Sequence, residues 1–282
     1  MTDSSPLAYL NPARWRRARP AIAVLRLAGA IGLPRPVRAV GLSIGSLADQ
    51  LERAFGFKNL QAVALAINSP GGSAVQSSLI AKRIRALAAE KKVPVLAFVE
   101  DIAASGGYWL ATSGDQIYAD ESSILGSIGV ISAGFGFPDL LQRMGIERRV
   151  HTAGSRKAML DPFRAEKPEE VARLQELQQE IHENFKAQVR ERRGGRLKGA
   201  EADLFNGDVW TARQALALGL IDGIGDLRTV LRARFGEKVR LVNVGPRRSW
   251  LSRRLGLELP GDWPEQILGA LEERALWARY GL

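Results

Sequence analysis

Runs of apolar and β-branched residues recur along the chain, and each run predicts a buried strand. The predicted strands cover residues 21–27, 60–67, 93–99, 116–119, 127–132, 147–152 and 239–242. Elsewhere, apolar residues recur every three or four positions, which is the period of an amphipathic helix. The predicted helices cover residues 75–88, 137–144, 168–193, 211–218 and 227–234. Strands that alternate with helices predict an α/β fold with a mostly parallel sheet and surrounding helices.

The predicted helix over residues 168–193 has the best-marked ends. Pro168 stands in its first turn and two glutamates follow, an order that helix N-termini favour. Two glycines follow its last turn. Apolar side chains at spacings of three and four predict a buried face that includes Val171, Leu174, Leu177, Ile181, Phe185 and Val189.

Two glycine-rich turns each follow a predicted strand and open a helix. The first spans residues 68–72 and contains Gly71 and Gly72, and the second spans residues 103–107, with Ser105 between small residues. In parallel α/β sheets, ligands bind at the carboxyl ends of the strands, where such turns present backbone N–H groups. Small neighbours would let a carbonyl group approach Ser105 closely, as in the nucleophile turn of serine hydrolases.

A serine nucleophile needs a general base, and the chain offers few candidates. The two histidines, His151 and His182, lack neighbours that suggest a Ser-His-Asp arrangement, so both are interpreted as structural or surface residues. A lysine acts as a base near neutral pH only where desolvation lowers the pKa of its ammonium group. Lys157 is the better candidate, because apolar residues at 158–160 could supply that environment.

The composition of the 282-residue chain narrows the chemistry further. The absence of cysteine excludes thiolate metal sites, disulfides and cysteine nucleophiles, and neither a metal nor another cofactor is predicted. Lysine and arginine total 40 against 30 acidic residues. Seven arginines and one aspartate give residues 1–40 a net charge of +6. Since no basic stripe with interleaved aromatic residues occurs in the body of the chain, nucleic acid is not a predicted partner.

Neither a secretory signal nor a membrane-spanning helix is predicted. The first five residues are polar or acidic, and arginines or prolines interrupt the apolar runs that follow. A cytoplasmic chain, or one peripheral to a membrane, is therefore expected. Membrane contact would use residues 1–19 or 245–282. The second of these stretches contains three of the six tryptophans, and packing or an oligomer contact is its alternative role.

Four segments, in their order and spacing, resemble the signal peptide peptidase A family of serine peptidases, which is related in fold to ClpP and the crotonases. These segments are residues 68–72, 104–108, 126–130 and 157–159. The resemblance implies a ClpP/crotonase-like fold and a Ser–Lys dyad. In that dyad Ser105 would be the nucleophile, Lys157 the general base, and Ser127 the residue that orients the lysine.

The same resemblance implies how the reaction's negative charge would be stabilised. An oxyanion hole would be formed by the backbone N–H of Gly106 together with that of Gly72 or Gly71. Asn68 would shape the first turn rather than react.

The resemblance covers about residues 21–235 and divides the chain into three parts. These are a basic arm over residues 1–20, the peptidase domain over 21–235, and a strand with a Trp/Arg-rich arm over 236–282. The family's rings and bowls imply a homo-oligomer. The implied substrates are unfolded or membrane-derived peptides, such as signal-peptide remnants. Many family members carry an N-terminal membrane anchor, and none is predicted here.

Two other functions use the same residues differently. A crotonase-like acyl-CoA enzyme would use the paired oxyanion glycines, but it would need a carboxylate at the site and no serine nucleophile. A non-catalytic membrane-surface scaffold would need neither a carboxylate nor a serine nucleophile. A serine endopeptidase with a Ser–Lys dyad is the function that the motifs favour.

Overall fold

The computed structural model of the chain describes residues 20–32, 41–246, 271 and 273–282. The strands are β1 (Ala21–Ala28), β2 (Leu60–Ser69), β3 (Val95–Ala104), β4 (Gln116–Ala119), β5 (Ile124–Gly126), β6 (Val209–Thr211), β7 (Gly223–Ile224) and β8 (Arg240–Asn243). The helices are α1 (Ile44–Phe55), α2 (Ala74–Lys91), α3 (Gly106–Ala111), α4 (Pro138–Arg143), α5 (Pro168–Arg193), α6 (Glu201–Leu204), α7 (Ala212–Ala217) and α8 (Leu227–Phe235). A 3₁₀ turn, Gly194–Arg196, follows α5.

The strands form one sheet in the order β6-β5-β3-β2-β1-β8, with β4 beside β3 and β7 beside β4. Every pair is parallel except β5 with β6. The prediction of an α/β fold with a mostly parallel sheet is therefore confirmed. At its carboxyl end, Ser69 of β2 pairs with Ala103 of β3. The two glycine-rich turns consequently lie side by side at one edge of the sheet.

Apolar side chains cover both faces of the central strands. In β1, Ala23, Leu25 and Leu27 join the larger core cluster, to which α1, α2, α3 and α5 contribute. The alternate residues Ile22 and Val24 join a smaller cluster that includes Leu231 of α8. Burial on both faces explains why these strands are continuous apolar runs, which is the pattern that predicts them.

The predictions for two strands, over residues 127–132 and 147–152, are wrong. Both segments are irregular in the structure. Ser127 has a φ of 51°, in the left-handed region, which ends the extended conformation of β5. A strand needs a neighbouring strand for its backbone hydrogen bonds. Within the described residues, neither segment has one.

Helix α1 is absent from the sequence-based prediction, although its signals are present. Ser43 and Ser46 form a capping box at its N-terminus, and Leu47, Leu51 and Phe55 are buried. Among the predicted helices, α5 matches at both ends, and α4, α7 and α8 match to within one residue at each end. Helix α2 begins one residue earlier than predicted and continues three residues further.

The three-part division of the chain stays a prediction. Residues 1–19 and 247–270, which hold most of both predicted arms, lie outside the described residues. In the described part of the C-terminal arm, residues 273–278 are helical. Among the helices that the structure describes, none combines the length and apolar character needed to cross a bilayer.

Candidate active site

The first glycine-rich turn connects β2 to α2 and is fixed against the end of β1. Ile31 donates a backbone hydrogen bond to Gly71 and accepts one from Ser73, both at 2.8 Å. Gly71 and Gly72 have φ values of 106° and 137°. A Cβ atom at Gly72 would lie 2.2 Å from the carbonyl oxygen of Ile31. Glycine is therefore required here by both conformation and space.

The second turn places Ser105 between β3 and α3 in a strained conformation. Ser105 has φ 50° and ψ −121°, which for a residue with a side chain costs on the order of 1–3 kcal/mol. Its amide donates to Gly126 at 2.8 Å, and its carbonyl accepts from Trp109 at 3.0 Å, so the turn is held from both sides. A strained serine between a strand and a helix is the arrangement of a nucleophile elbow.

The small residues around Ser105 are explained by how closely the two turns approach each other. A Cβ atom at Gly71 would lie 2.8 Å from the Cβ of Ser105, and one at Gly107 would lie 2.3 Å from the carbonyl oxygen of Ser69. Any larger residue at these positions would push the turns apart.

The backbone N–H groups of Gly72 and Gly106 lie close together where the two turns meet. A Cβ atom at Gly106 would lie 3.4 Å from the amide nitrogen of Gly72. Among the described residues, neither of these two amides has a hydrogen-bond acceptor. The Gly71 amide, in contrast, donates to the Ser69 hydroxyl at 3.2 Å. Of the two sequence-based alternatives, the geometry favours Gly72 over Gly71 as the partner of Gly106.

The side chain of Asn68 links the ends of β2 and β3. Its amide nitrogen donates to the carboxylate of Asp101, and its Oδ1 accepts from the Ile102 amide at 3.3 Å. These contacts fix the backbone from which both turns start. They agree with the expectation that Asn68 shapes the first turn.

A third loop, after β5, brings Ser127 to the same place. The antiparallel pairing of β5 with β6 leads into this loop, and the Ser127 amide donates to Asp208 at 2.6 Å. The Ser127 Oγ accepts a hydrogen bond from the Tyr280 hydroxyl at 3.3 Å. Because Ser105 and Ser127 line one cavity, the structure brings both predicted serines into one site.

That cavity has a volume of about 570 Å³ and combines polar groups with an apolar wall. Ser105, Ser127, Gly72 and Gly106 are among the residues that contribute polar atoms to it. The indole of Trp109 and the ring of Phe185, stacked with centroids 4.7 Å apart, contribute the wall together with Ile181. A cavity of this kind can hold a peptide carbonyl beside an apolar side chain.

Lys157 does not lie in this cavity. Its side chain is exposed and is absent from the cavity lining. Its backbone amide donates to Gly154 at 3.1 Å in a turn of the long connection between β5 and α5. The structure therefore brings together Ser105, Ser127 and the glycines, but it does not bring Lys157 to them.

Sequence reasoning missed several residues that line the cavity. His182, interpreted as structural or surface, faces into it from α5. Its position three residues before Phe185 and seven before Val189 places it on the buried face of the helix, and this spacing is a signal that could have found it. Leu276, Arg279 and Tyr280 also line the cavity, and no motif predicts them.

A buried ion pair supports α3 from behind the site. The Arg193 guanidinium donates to both carboxylate oxygens of Asp222 and also to the carbonyl of Gly219. Tyr108 of α3 donates its hydroxyl hydrogen to the Leu220 carbonyl at 2.7 Å. This cluster ties the end of α5 to the helix that follows Ser105.

The environment of this cluster shifts the pKa values of its members. Burial raises the pKa of the Tyr108 hydroxyl, so it stays protonated as a donor. Burial also acts to raise the pKa of Asp222. Hydrogen bonds from Arg193 and from the Ile117 amide outweigh that effect and hold the pKa of Asp222 below its usual range.

Replacing Arg193 should destabilise the fold. We expect Arg193→Leu to lower the free energy of unfolding by about 3–5 kcal/mol, because it leaves the Asp222 carboxylate buried with a weaker partner. Arg196→Leu is the matched control, since Arg196 also pairs with Asp222 but its side chain is 43% exposed against 1% for Arg193. We expect Arg196→Leu to lower the free energy of unfolding by at most about 1 kcal/mol. Urea denaturation measures both, and equal effects would contradict this account.

The same pair predicts acid sensitivity. Since the pKa of Asp222 is lower in the folded than in the unfolded chain, its contribution is complete above about pH 4. This contribution to stability is lost as the pH falls through the pKa that Asp222 has in the folded chain. The stability difference between wild type and Arg193→Leu should therefore shrink at strongly acid pH.

Comparison with known proteins agrees with this geometry. The model of peptidase family S49 matches residues 87–239, which is more than half of the chain. The Na(+)/H(+) antiporter NhaA of Brucella abortus is 51% identical over 287 residues, covering 98% of this chain and 39% of that protein. The chloroplastic serine protease SPPA of Arabidopsis thaliana is 32% identical over 213 residues, covering 74% of this chain and 31% of that protein. The chain thus spans well under half of the length of these relatives.

A solved structure shares the fold. It is a lysine-to-alanine mutant of the 1510-N membrane-bound stomatin-specific protease in complex with a substrate peptide, with a TM-score of 0.51 and 17% sequence identity. The match covers 84% of this chain and 96% of that one. The predicted ClpP/crotonase-like arrangement of strands and helices is confirmed by this likeness.

Proposed function

Because the chain belongs to peptidase family S49, we propose that it is a serine endopeptidase with Ser105 as its nucleophile. The resemblance to the signal peptide peptidase A family is thereby confirmed. The observation that carries the proposed role of Ser105 is its strained turn beside the unpaired amides of Gly72 and Gly106. The antiporter name belongs to a protein of which about three fifths have no counterpart in this chain.

In the proposed reaction, the Ser105 oxygen attacks the carbonyl carbon of a peptide bond. The hydroxyl proton passes to a lysine amine and then to the leaving amine of the substrate. The amides of Gly72 and Gly106 stabilise the oxyanion that forms. Water then hydrolyses the acyl-enzyme ester and restores the serine. Ser127 accepts a hydrogen bond from the lysine and orients it.

The general base must come to the cavity from elsewhere. No lysine is found among the described residues that line it. We therefore propose that Lys157 acts on Ser105 of a second copy of the chain. This places each dyad at an interface between copies and makes the homo-oligomer a condition of activity.

The surroundings of Lys157 support such an interface. Lys157 lies in residues 131–163, a connection that we call the exposed segment. Ile131, Phe135 and Met144 of this segment are 65%, 83% and 63% exposed. Several exposed apolar side chains in one segment favour an interaction surface, since burying them gains about 25 cal/mol per Å² of apolar area. Packing of the exposed segment on another copy would also exclude water from the lysine.

The proposed substrates are unfolded or membrane-derived peptides, such as signal-peptide remnants. The stacked Trp109 and Phe185 offer an apolar side chain a place beside Ser105. The crotonase-like alternative needs a carboxylate in the cavity, and the described lining residues include none. Peripheral membrane contact through residues 1–19 or 245–282 stays a prediction, because most of these residues lie outside the described ranges.

The proposed function is tested by offering wild-type protein two substrates. One is an internally quenched peptide with leucine and alanine around its centre, and the other is an acyl-CoA thioester. We expect cleavage within the peptide and no turnover of the thioester. Thioester turnover without peptide cleavage would instead support the acyl-CoA enzyme, and activity on neither substrate would support the scaffold.

A further inference from the structure

His182 contacts the loop that carries Ser127. Its Nε2 lies 3.0 Å from the carbonyl oxygen of Ile128. A carbonyl oxygen only accepts hydrogen bonds, so Nε2 must carry the hydrogen. The two residues are 54 positions apart in the sequence, and this bond therefore joins α5 to the loop in the folded chain.

The Ser127 loop needs such support because its backbone is strained. Ser127 has a φ of 51°, a conformation that residues with a side chain rarely adopt. The Asp208 carbonyl holds the amide of Ser127 on one side. On the other side, the Ile128 carbonyl is held by His182. Both bonds fix the backbone of the Ser127 loop, together with the bond from the Gly129 amide to the Ser127 carbonyl at 2.9 Å.

The helix that carries His182 also contacts the nucleophile's own helix. Phe185, one turn beyond His182, stacks on Trp109 of α3, and α3 begins directly after Ser105. One rigid helix thus touches both the Ser105 element and the Ser127 loop. The Ser105 amide also joins the two elements directly through its bond to Gly126, and α5 adds a second connection between them.

From these contacts we propose that His182 is a positioning residue, which holds Ser127 in place relative to Ser105. The inference rests on the proposed peptidase function. In this proposal His182 acts by holding the Ser127 loop and not as a base, and its Nε2–H donates to the Ile128 carbonyl. Its effect passes through Ser127, which orients the lysine base.

Two variants of His182 and one control test this role. His182→Leu removes the donor, His182→Gln keeps an N–H donor of similar length, and Asn184→Leu makes the same kind of change on the exposed face of α5. For His182→Leu we expect kcat on the quenched peptide to fall by about tenfold to a hundredfold, with KM changed less than about twofold. His182→Gln should recover most of the loss, and Asn184→Leu should match wild type.

Several outcomes would overturn the positioning role. These are an unchanged kcat in His182→Leu, equal losses in the leucine and glutamine variants, or a loss that lies in KM alone. Thermal unfolding of each variant separates these results from simple destabilisation. If wild type is active and His182→Leu has the same activity, only the positioning role is overturned. If wild type is inactive, the proposed peptidase function is overturned.

A second measurement does not depend on activity. The chain has two histidines, so ¹⁵N NMR of selectively labelled protein resolves the ring nitrogens of each one. We expect the Nε2–H tautomer for His182, assigned by loss of its signals in His182→Gln. The Nδ1–H tautomer would overturn the proposal, because that ring could not donate to Ile128.

Discussion

Ser105→Ala is expected to abolish peptide hydrolysis, with kcat at least about 10⁴-fold below wild type. The change removes only the hydroxyl that attacks the substrate. The backbone bonds of Ser105 to Gly126 and Trp109 do not involve the side chain, so the fold should remain. Steady-state hydrolysis of the quenched peptide measures the loss, and circular dichroism confirms that the variant is folded.

Ser122→Ala is the matched control, because Ser122 is an exposed serine in the loop between β4 and β5 and lies outside the cavity. It should keep wild-type activity. If Ser105→Ala kept more than a few per cent of wild-type kcat, Ser105 would not be the nucleophile. The two unpaired amides beside it would then need a different explanation.

Lys157→Ala should lower kcat by about 10²- to 10⁴-fold, the usual contribution of a general base. The oligomer should persist, because the substitution removes a charge from the exposed segment and leaves its apolar side chains in place. Size-exclusion chromatography checks the assembly, and the quenched peptide checks the rate.

Mixing the two inactive variants tests whether the dyad forms between copies. In an equimolar, fully exchanged mixture, half of the sites have an intact Ser105 and half of the neighbouring copies supply an intact Lys157. Activity should therefore recover to about one quarter of wild type. A dyad closed within one copy would give no recovery. Loss of activity in Lys157→Ala with no recovery on mixing would contradict the arrangement between copies, while leaving Lys157 as the base.

The central strands could be predicted from sequence because they are buried on both faces. The apolar runs at residues 21–27, 60–67 and 93–99 correspond to β1, β2 and β3. Their carboxyl ends locate the two glycine-rich turns, and with them Ser105. The oxyanion pair could be predicted as far as the choice between Gly71 and Gly72. The choice depends on the hydrogen bond from the Gly71 amide to the Ser69 hydroxyl, which forms only in the folded turn.

Three of the failures depend on contacts between residues that are distant in sequence. Residues 127–132 have the composition of a strand but, within the described chain, no partner strand. His182 becomes part of the site because α5 packs beside α3 and the Ser127 loop. The place where Lys157 acts depends, in our proposal, on a second copy, which neither local pattern nor one folded chain contains.

The most direct test of the central claim is the covalent capture of the nucleophile. Wild-type protein is treated with a fluorophosphonate probe, digested, and mapped by mass spectrometry. The account predicts a single adduct on Ser105, formed much more slowly in Lys157→Ala and absent from Ser105→Ala. No adduct in catalytically active wild type, or an adduct on any other residue that persists in Ser105→Ala, would contradict it.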